Sequence, residues 1–370
     1  MSATSAVAGA PVLPSDEGSK RIRSDQWHLA TLASTEANQI SQGEGVTVAV
    51  PDTGVAPHPD LAGNLLEGID ILDGGRSNGQ GDRNSHGTGM AGLIAAHGQS
   101  NNEGARGIAP KAKVLPILSS AVDNQSSPDD LGRAIEYAIS SGASVISISS
   151  AGGSSPILRE AIKSALTANV VVVAAAGNRP ADNQVGYPAS VDGVIAVGGV
   201  DRDGNRAAVS VTGPEIDVVA PAVDIYSTSI DGKYRKGTGT SDATAIVAGA
   251  AALIRSKYPY LPAREVAHRL TATAVDRGAP GRDDEYGYGV IDLVAALTAD
   301  VPPLGFESVS APAGAGPSTT AARRRPGDDG SGATARGLAT LGVIVAAGVA
   351  WAVVARRRRR SDDPPPRISR

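Results

Sequence analysis

The 370-residue chain contains no cysteine, one phenylalanine and two tryptophans. The absence of cysteine excludes disulfide bonds, thiolate metal sites and a cysteine nucleophile. Aromatic residues make up only 3% of the chain, so its core must be built mainly from Val, Ile, Leu and Ala. The formal net charge of −4 is small and gives no general case for nucleic-acid binding.

Short runs of apolar, often β-branched residues recur along the chain and are typical of buried strands. They lie at residues 46–50, 113–118, 144–149, 170–175 and 194–198. Helical stretches lie between them, for example at residues 130–141 and 156–168. Continuous apolar strands that alternate with helices indicate a parallel sheet covered on both faces. We therefore predict a doubly wound, mostly parallel α/β domain over about residues 26–300.

The two ends of the chain differ from this domain in composition. Residues 1–25 form an N-terminal extension without the apolar run of a signal peptide, so we expect the natural start to lie upstream. Residues 301–336 are rich in Pro, Gly and Ala, which predicts a disordered linker.

A stretch of nineteen uncharged residues, 337–355, follows the linker. A helix of that length spans roughly 28 Å, close to the hydrocarbon thickness of a bilayer. Trp351 precedes the basic run Arg356–Arg360, as an interfacial aromatic precedes a cytoplasmic basic cluster. The alternative is a buried helix, because the stretch is rich in alanine, but no domain follows it. We predict one C-terminal transmembrane helix in the cell membrane, with residues 356–370 as a cytoplasmic tail and the domain outside.

Three short motifs carry side chains suited to nucleophilic catalysis. Asp52 ends the first predicted strand in Asp-Thr-Gly, His86 opens a helix in His-Gly-Thr-Gly, and Ser241 precedes the apolar helix 246–254. Each motif taken singly recurs freely at turns and helix starts. Peptide hydrolysis, however, needs an activated hydroxyl and a base, and the chain order Asp, His, Ser is that of subtilisin.

All three motifs resemble the signatures of the subtilase family of serine proteases, and the resemblance extends over about residues 26–300. It implies that Ser241 attacks the scissile carbonyl, that His86 accepts and returns the proton, and that Asp52 orients the imidazole. The sequence Ala-Ala-Gly-Asn, which ends at Asn178, resembles the family's oxyanion segment. The Asn178 amide and the Ser241 N–H are thereby expected to bind the oxyanion.

The same resemblance implies a primary specificity pocket and leaves a metal site open. Eight residues are expected to line the pocket: Ser149, Ser150, Ala151, Gly152, Ala175, Ala176, Gly177 and Gly186. This lining of small residues suggests that the pocket accepts an apolar or undemanding side chain. No cofactor is expected. Subtilases often bind structural calcium, and Asp60 is one candidate ligand, although no complete oxygen-rich loop is visible. The remaining histidines lack metal-ligand spacing and are assigned surface or packing roles: His28, His58, His97 and His268.

Three positions depart from the family pattern. Pro51 precedes Asp52 where an aliphatic residue is usual, and proline is disfavoured in a central strand except at its end. Asp242 follows Ser241 where the family usually has Met, Phe or Tyr. A carboxylate there raises the pKa of His86 if it faces inward and does little if it is solvated. Ala245 replaces the usual proline, which is a mild change.

Within the subtilases, the chain resembles the mycosins of actinobacterial type VII secretion. They share the single catalytic domain, the linker, the C-terminal span and the basic tail, and the segment Gln26–Leu29 resembles the start of their catalytic region. The resemblance implies protein or peptide substrates and secretion membrane components as partners. Two alternatives stay open: a mainly structural component of a secretion complex with weak proteolysis, and a soluble subtilase.

Overall fold

A computed structural model describes residues 15–100, 102–121 and 127–305 of the chain. The helices are α1 (Ser15–Asp25), α2 (Trp27–Thr31), α3 (Ser34–Ile40), α4 (His86–Ala95), α5 (Pro128–Ser140), α6 (Pro156–Thr167), α7 (Thr240–Lys257), α8 (Ala263–Ala272) and α9 (Leu293–Thr298), with a 3-10 turn at Pro59–Leu61 and another at Ile230–Gly232. The strands are β1 (Thr47–Asp52), β2 (Ile69–Asp70), β3 (Lys113–Leu118), β4 (Val145–Ile148), β5 (Val171–Ala175), β6 (Ile195–Val200), β7 (Val218–Pro221), β8 (Ile225–Thr228) and β9 (Tyr234–Gly237).

Seven strands form one parallel sheet in the order β2-β3-β1-β4-β5-β6-β7. The predicted α/β fold with a parallel sheet is confirmed. Strand order reverses at β1, which lies between β3 and β4, so the carboxyl end of β1 is a topological switch point. Open α/β sheets bind their ligands at such points. The sequence reading did not anticipate the antiparallel hairpin of β8 and β9, which lies outside this sheet.

Helices cover both faces of the sheet because successive strand side chains point to opposite sides. On one face, Val48 and Val50 belong to a core cluster with α4 and α7. On the other, Ala49 and Ile146 belong to a second cluster with α5 and α6. Each central strand is therefore buried on both sides, which explains why the strands read as continuous apolar runs.

The predicted element limits hold best where the apolar pattern is strongest. Strand β3 spans residues 113–118 as expected, and β1 extends to Asp52. Helix α7, however, begins at Thr240, so Ser241 lies in its first turn and not before it. The polar residues at that end interrupt the apolar pattern, so the pattern does not indicate the first turns of the helix. Thr244 is tolerated there because its hydroxyl donates to the Thr240 carbonyl at 2.7 Å.

Pro51 is accommodated because β1 is paired unequally. Strand β1 pairs with β3 over its whole length, but it pairs with β4 only at Val48 and Ala49. Pro51 therefore lies beyond the end of the β4 pairing, where a missing N–H interrupts no ladder on that side.

The described part of the N-terminal extension packs on the domain. Ile22 of α1 is fully buried, and the Arg23 guanidinium donates to the Gly104 carbonyl at 2.9 Å. In the next segment the Trp27 indole N–H lies 3.2 Å from the carbonyl oxygens of Val223 and Asp224.

The predicted span at 337–355, the cytoplasmic tail and nearly all of the linker lie outside the described residues. Among the residues that are described, none of the helices has the length and apolar character needed to cross a bilayer.

Candidate active site

Asp52 and His86 meet at the carboxyl end of the central strand. Asp52 ends β1 and His86 opens α4, and the imidazole Nδ1 lies 2.8 and 2.9 Å from the two carboxylate oxygens. Burial by itself lowers the pKa of His86, but the charge and hydrogen bond of Asp52 outweigh it, so the pKa is raised above the usual value. Asp52 thus stabilises the protonated imidazole.

A buried carboxylate that the sequence reading missed connects these two elements. Asp82 is 8% exposed and accepts hydrogen bonds from the Thr53 hydroxyl at 2.9 Å and from the Thr88 N–H at 3.0 Å. The Thr53 oxygen in turn accepts the Gly87 N–H at 3.0 Å. Asp82 therefore holds the start of α4 against the end of β1. An acidic residue four positions before a helix start was the available signal, since carboxylates favour helix N-termini.

Ser241 lies in the first turn of α7 and is half-buried. Its hydroxyl donates to the Ser149 carbonyl at 2.9 Å, and the Ser149 hydroxyl donates back to the Ser241 carbonyl at 3.2 Å. This reciprocal pair ties α7 to the segment that follows β4. In this arrangement the Ser241 hydroxyl is directed to a carbonyl oxygen and not to the imidazole of His86.

The side chain of Asn178 has a fixed orientation. Its Oδ1 accepts the Thr240 N–H at 2.9 Å, at the start of α7. Its backbone N–H donates to the Asp182 carboxylate at 2.7 Å, another contact that the sequence reading missed. The hydrogen bond to the amide oxygen fixes the orientation of the amide, and the amide nitrogen is the atom that can donate to a ligand.

The predicted pocket residues come together on two neighbouring segments, Ser149–Gly152 and Ala175–Gly177, which follow or end the adjacent strands β4 and β5. Gly152 and Tyr187 exchange backbone hydrogen bonds of 3.0 Å, and the Gly186 N–H donates to the Ala176 carbonyl at 3.0 Å. A Cβ at Gly186 would lie 2.8 Å from the Ala151 Cβ, so a side chain there would crowd the segment.

Comparison with known proteins identifies the class. Residues 43–289 match the Subtilase family, Peptidase S8. The chain belongs to the subtilase family. It is 41% identical to Subtilisin DY of Bacillus licheniformis over 260 residues, which cover 69% of this chain and 92% of that protein. These relatives show that it is a serine endopeptidase.

Solved structures similar to this subtilase include two of MycP1. One is MycP1 without its N-terminal propeptide, with 32% identity, a TM-score of 0.68 and coverage of 75% of this chain and 98% of that one. The other is MycP1 described as a serine protease and an essential component of the type VII (ESX-1) secretion system. It has 32% identity, a TM-score of 0.69 and coverage of 80% and 93%. The mycosin resemblance is thereby confirmed.

The candidate calcium ligand of this subtilase is engaged by protein donors. The Asp60 carboxylate is fully buried and accepts the Ala105 N–H at 2.5 Å and the Gln99 amide at 2.9 Å. Over the ranges that the structure describes, no group of three His, Asp or Glu side chains is arranged to hold a metal ion.

The four histidines outside the site have packing or surface contacts. His58 packs edge-on against Tyr234 with ring centroids 5.3 Å apart. His97 bonds the carbonyls of Ala62 and Gly98, and His268 bonds the carbonyl of Pro302. His28 is fully buried, neither ring nitrogen has a hydrogen-bond partner in the described chain, and burial lowers its pKa to about 3.

Asp242, whose orientation the sequence left open, faces inward. It is 3% exposed, and its charge raises the pKa of His86, after the larger effects of burial, of Asp52 and of Arg235, whose charge lowers that pKa.

Proposed function

We propose that this subtilase cleaves protein or peptide substrates with Asp52, His86 and Ser241 as its catalytic triad. The main support is the pairing of the His86 Nδ1 with the Asp52 carboxylate, 2.8 Å apart, at the switch point of the sheet. The Asp52 contact leaves the imidazole Nε2 as the atom that receives a proton from the nucleophile.

Catalysis begins when the Ser241 hydroxyl turns from the Ser149 carbonyl to the imidazole, since apo enzymes often hold such hydrogen bonds in unproductive geometry. The Ser241 Oγ then bonds to the scissile carbonyl carbon as its proton passes to His86. The raised pKa of His86 favours this imidazolium. The carbon–nitrogen bond breaks and the leaving amine takes the proton, which leaves an acyl-enzyme that water hydrolyses by the same route.

The oxyanion is bound by the Asn178 side-chain nitrogen and by the Ser241 N–H. Two observations support these roles: the Asn178 amide oxygen is already held by Thr240, and Ser241 lies in the first turn of a helix, where backbone N–H groups have no intrahelical acceptor. A side-chain donor of this kind contributes about 3 kcal/mol to transition-state stabilisation. The pocket lined by Ser149–Gly152, Ala175–Gly177 and Gly186 receives the side chain that precedes the scissile bond.

We further propose that the protease is anchored in the cell membrane by residues 337–355, with its catalytic domain extracytoplasmic, and acts with type VII secretion components. The support is the nineteen-residue uncharged run followed by arginines and the similarity to MycP1, a component of such a system.

A fluorophosphonate probe tests the catalytic proposal directly, because it modifies only an activated serine. The wild-type chain is expected to react and to cleave peptides, while Ser241→Ala does neither. Absence of labelling on the folded wild-type protein would contradict the proposal and favour a scaffold role.

Membrane fractionation with protease accessibility tests the anchor. The expressed protein is expected to sediment with membranes and to be digested by protease added outside the cell. A soluble product would favour the alternative of a soluble subtilase and end the anchor proposal.

A further inference from the structure

Two charged side chains, the buried Asp242 and the half-buried Arg235, lie close to the helix that carries His86. Asp242, in the first turn of α7, is 3% exposed, and within the described chain its Oδ1 has no hydrogen-bond partner. Arg235, on β9, directs its guanidinium at α4, where a Cβ on Gly89 would lie 2.5 Å from Nη1. That Nη1 is also buried and without a hydrogen-bond partner there.

The two groups face each other across one glycine. A Cβ on Gly237 would lie 2.8 Å from the Arg235 Nη2 and 2.8 Å from each carboxylate oxygen of Asp242. Glycine is thus the residue type that leaves this space open. A lone buried carboxylate is unfavourable, and burial raises the pKa of Asp242 above its usual value, although the charges of Arg235 and His86 oppose part of that rise.

We propose that the opposite charges of Asp242 and Arg235, on either side of Gly237, adjust the low-pH limit of activity by acting on His86. Asp242 is a positioning residue in this scheme, because its carboxylate acts through the imidazole. The inference rests on the proposed triad. The carboxylate favours the imidazolium and the guanidinium disfavours it, so the two charges adjust the pH at which His86 loses its proton, in addition to the larger effects of burial and Asp52.

The other charged groups on elements packed against α4 are held by hydrogen bonds. Arg255 and Lys257, near the far end of α7, donate to the carbonyls of Leu261 and Leu297, and Lys113 on β3 donates to the Gly63 carbonyl. Asp52 on β1 bonds His86 directly, and Asp82 accepts hydrogen bonds from Thr53 and Thr88. Asp60, in the 3-10 turn Pro59–Leu61, is held by backbone and amide donors. The β8 residues that bond the α4 backbone are the uncharged Ser227 and Thr228.

The test is the acid limb of kcat/KM, which reports the free enzyme's base. Asp242→Asn removes a charge with little change of shape. It is expected to move the limb to lower pH by about half a unit. Asp203→Asn, in the exposed turn after β6, is the matched control and should leave the limb in place, because Asp203 is not among the charges that act on His86. Coincident limbs for Asp242→Asn and wild type would overturn the inference.

A double-mutant cycle tests the pairing with Arg235. In Arg235→Gln the uncompensated carboxylate is expected to take up a proton, so a further Asp242→Asn change should shift the limb little. An equal shift in both backgrounds would show that the two residues act independently. Thermal unfolding identifies any variant that fails to fold, and Asp242→Asn alone then decides.

Direct NMR titration of His86 in a Ser241→Ala background separates this inference from the proposed function. A lower imidazole pKa in Asp242→Asn supports the inference even if the wild type resists the fluorophosphonate probe. An unchanged imidazole pKa in a protein that the probe labels overturns the inference and leaves the triad intact.

Discussion

The two faces of the parallel sheet are covered by helices of opposite character. Helices α5 and α6 are preceded by Ser127 and Ser155. Each serine caps its helix by accepting a backbone N–H, and each is followed by proline at the first helical position. Both helices are amphipathic. Helices α4 and α7 are buried nearly all round, and neither is capped by the side chain of the residue that precedes it.

This difference distinguishes helix starts that only stabilise the fold from those that carry the proposed catalytic residues. A serine cap satisfies one of the unpaired N–H groups at a helix start and proline at the first position removes another, which stabilises the fold and leaves fewer donors to bind a ligand. On the catalytic face, the first turns of α4 and α7 bond instead to Asp82 and Asn178, residues that also hold His86 and Ser241 in place. The starts of α5 and α6 are thus stabilised by the residue just before each helix, whereas the starts of α4 and α7 are stabilised by side chains from other segments.

The largest expected effect contrasts two serines at helix starts. Ser241→Ala removes the proposed nucleophile and should lower kcat roughly a million-fold. Ser155→Ala, on the opposite face, removes only a cap and should destabilise the fold by about 1 kcal/mol. Peptide hydrolysis and thermal unfolding of both variants check the contrast. Loss of activity in Ser155→Ala with normal folding would break it.

Asn178→Ala should reduce kcat on the order of a hundred- to a thousand-fold with a smaller change in KM, because the oxyanion forms only in the transition state. Steady-state kinetics on a peptide amide measure this. A rise in KM alone would indicate that Asn178 binds substrate and not the oxyanion.

Substitution of one carboxylate on each face of the sheet extends the comparison. Asp82→Asn weakens several buried hydrogen bonds and should destabilise the protein by about 1–3 kcal/mol while lowering kcat. Asp130→Asn, in the partly exposed first turn of α5, should cost about 0.3–1 kcal/mol and leave kcat unchanged. Denaturant unfolding and kinetics distinguish them, and equal effects would contradict the assignment of Asp82 as the link between β1 and α4.

The last prediction concerns the pH dependence of stability and His28, which is buried in α2 without a hydrogen-bond partner among the described residues. Its folded pKa of about 3 lies below the 6.5 of an unfolded histidine, so between these values the unfolded chain binds more protons. The contribution of neutral His28 to the free energy of unfolding is therefore complete above about pH 6.5. It falls by roughly 1.4 kcal/mol for each pH unit below that. His28→Leu should flatten this dependence in urea unfolding from pH 4 to 7. An unchanged slope would show that His28 is not its source.

Much of the fold could be predicted because its signals are local. The strands read as apolar runs since both sides of each central strand are buried. Helices α5 and α6 are indicated by their serine caps, by the proline at the first position and by the periodicity of their apolar residues. The hairpin of β8 and β9 was missed because it lies outside that buried sheet, and its residues 225–237 carry no comparable run.

The sequence by itself determined the family and supplied the side chains that we propose for catalysis, because motifs and periodicities are written in neighbouring residues. Only the tertiary structure decided that Asp242 faces inward toward Arg235 and His86, that Ser241 bonds Ser149 ninety-two positions away, and that Asp82 joins two elements. Except for Arg235 and Asp242, which are seven residues apart, these residues belong to segments distant in the chain. Their geometry follows from how the sheet brings strand ends together, which no local pattern specifies.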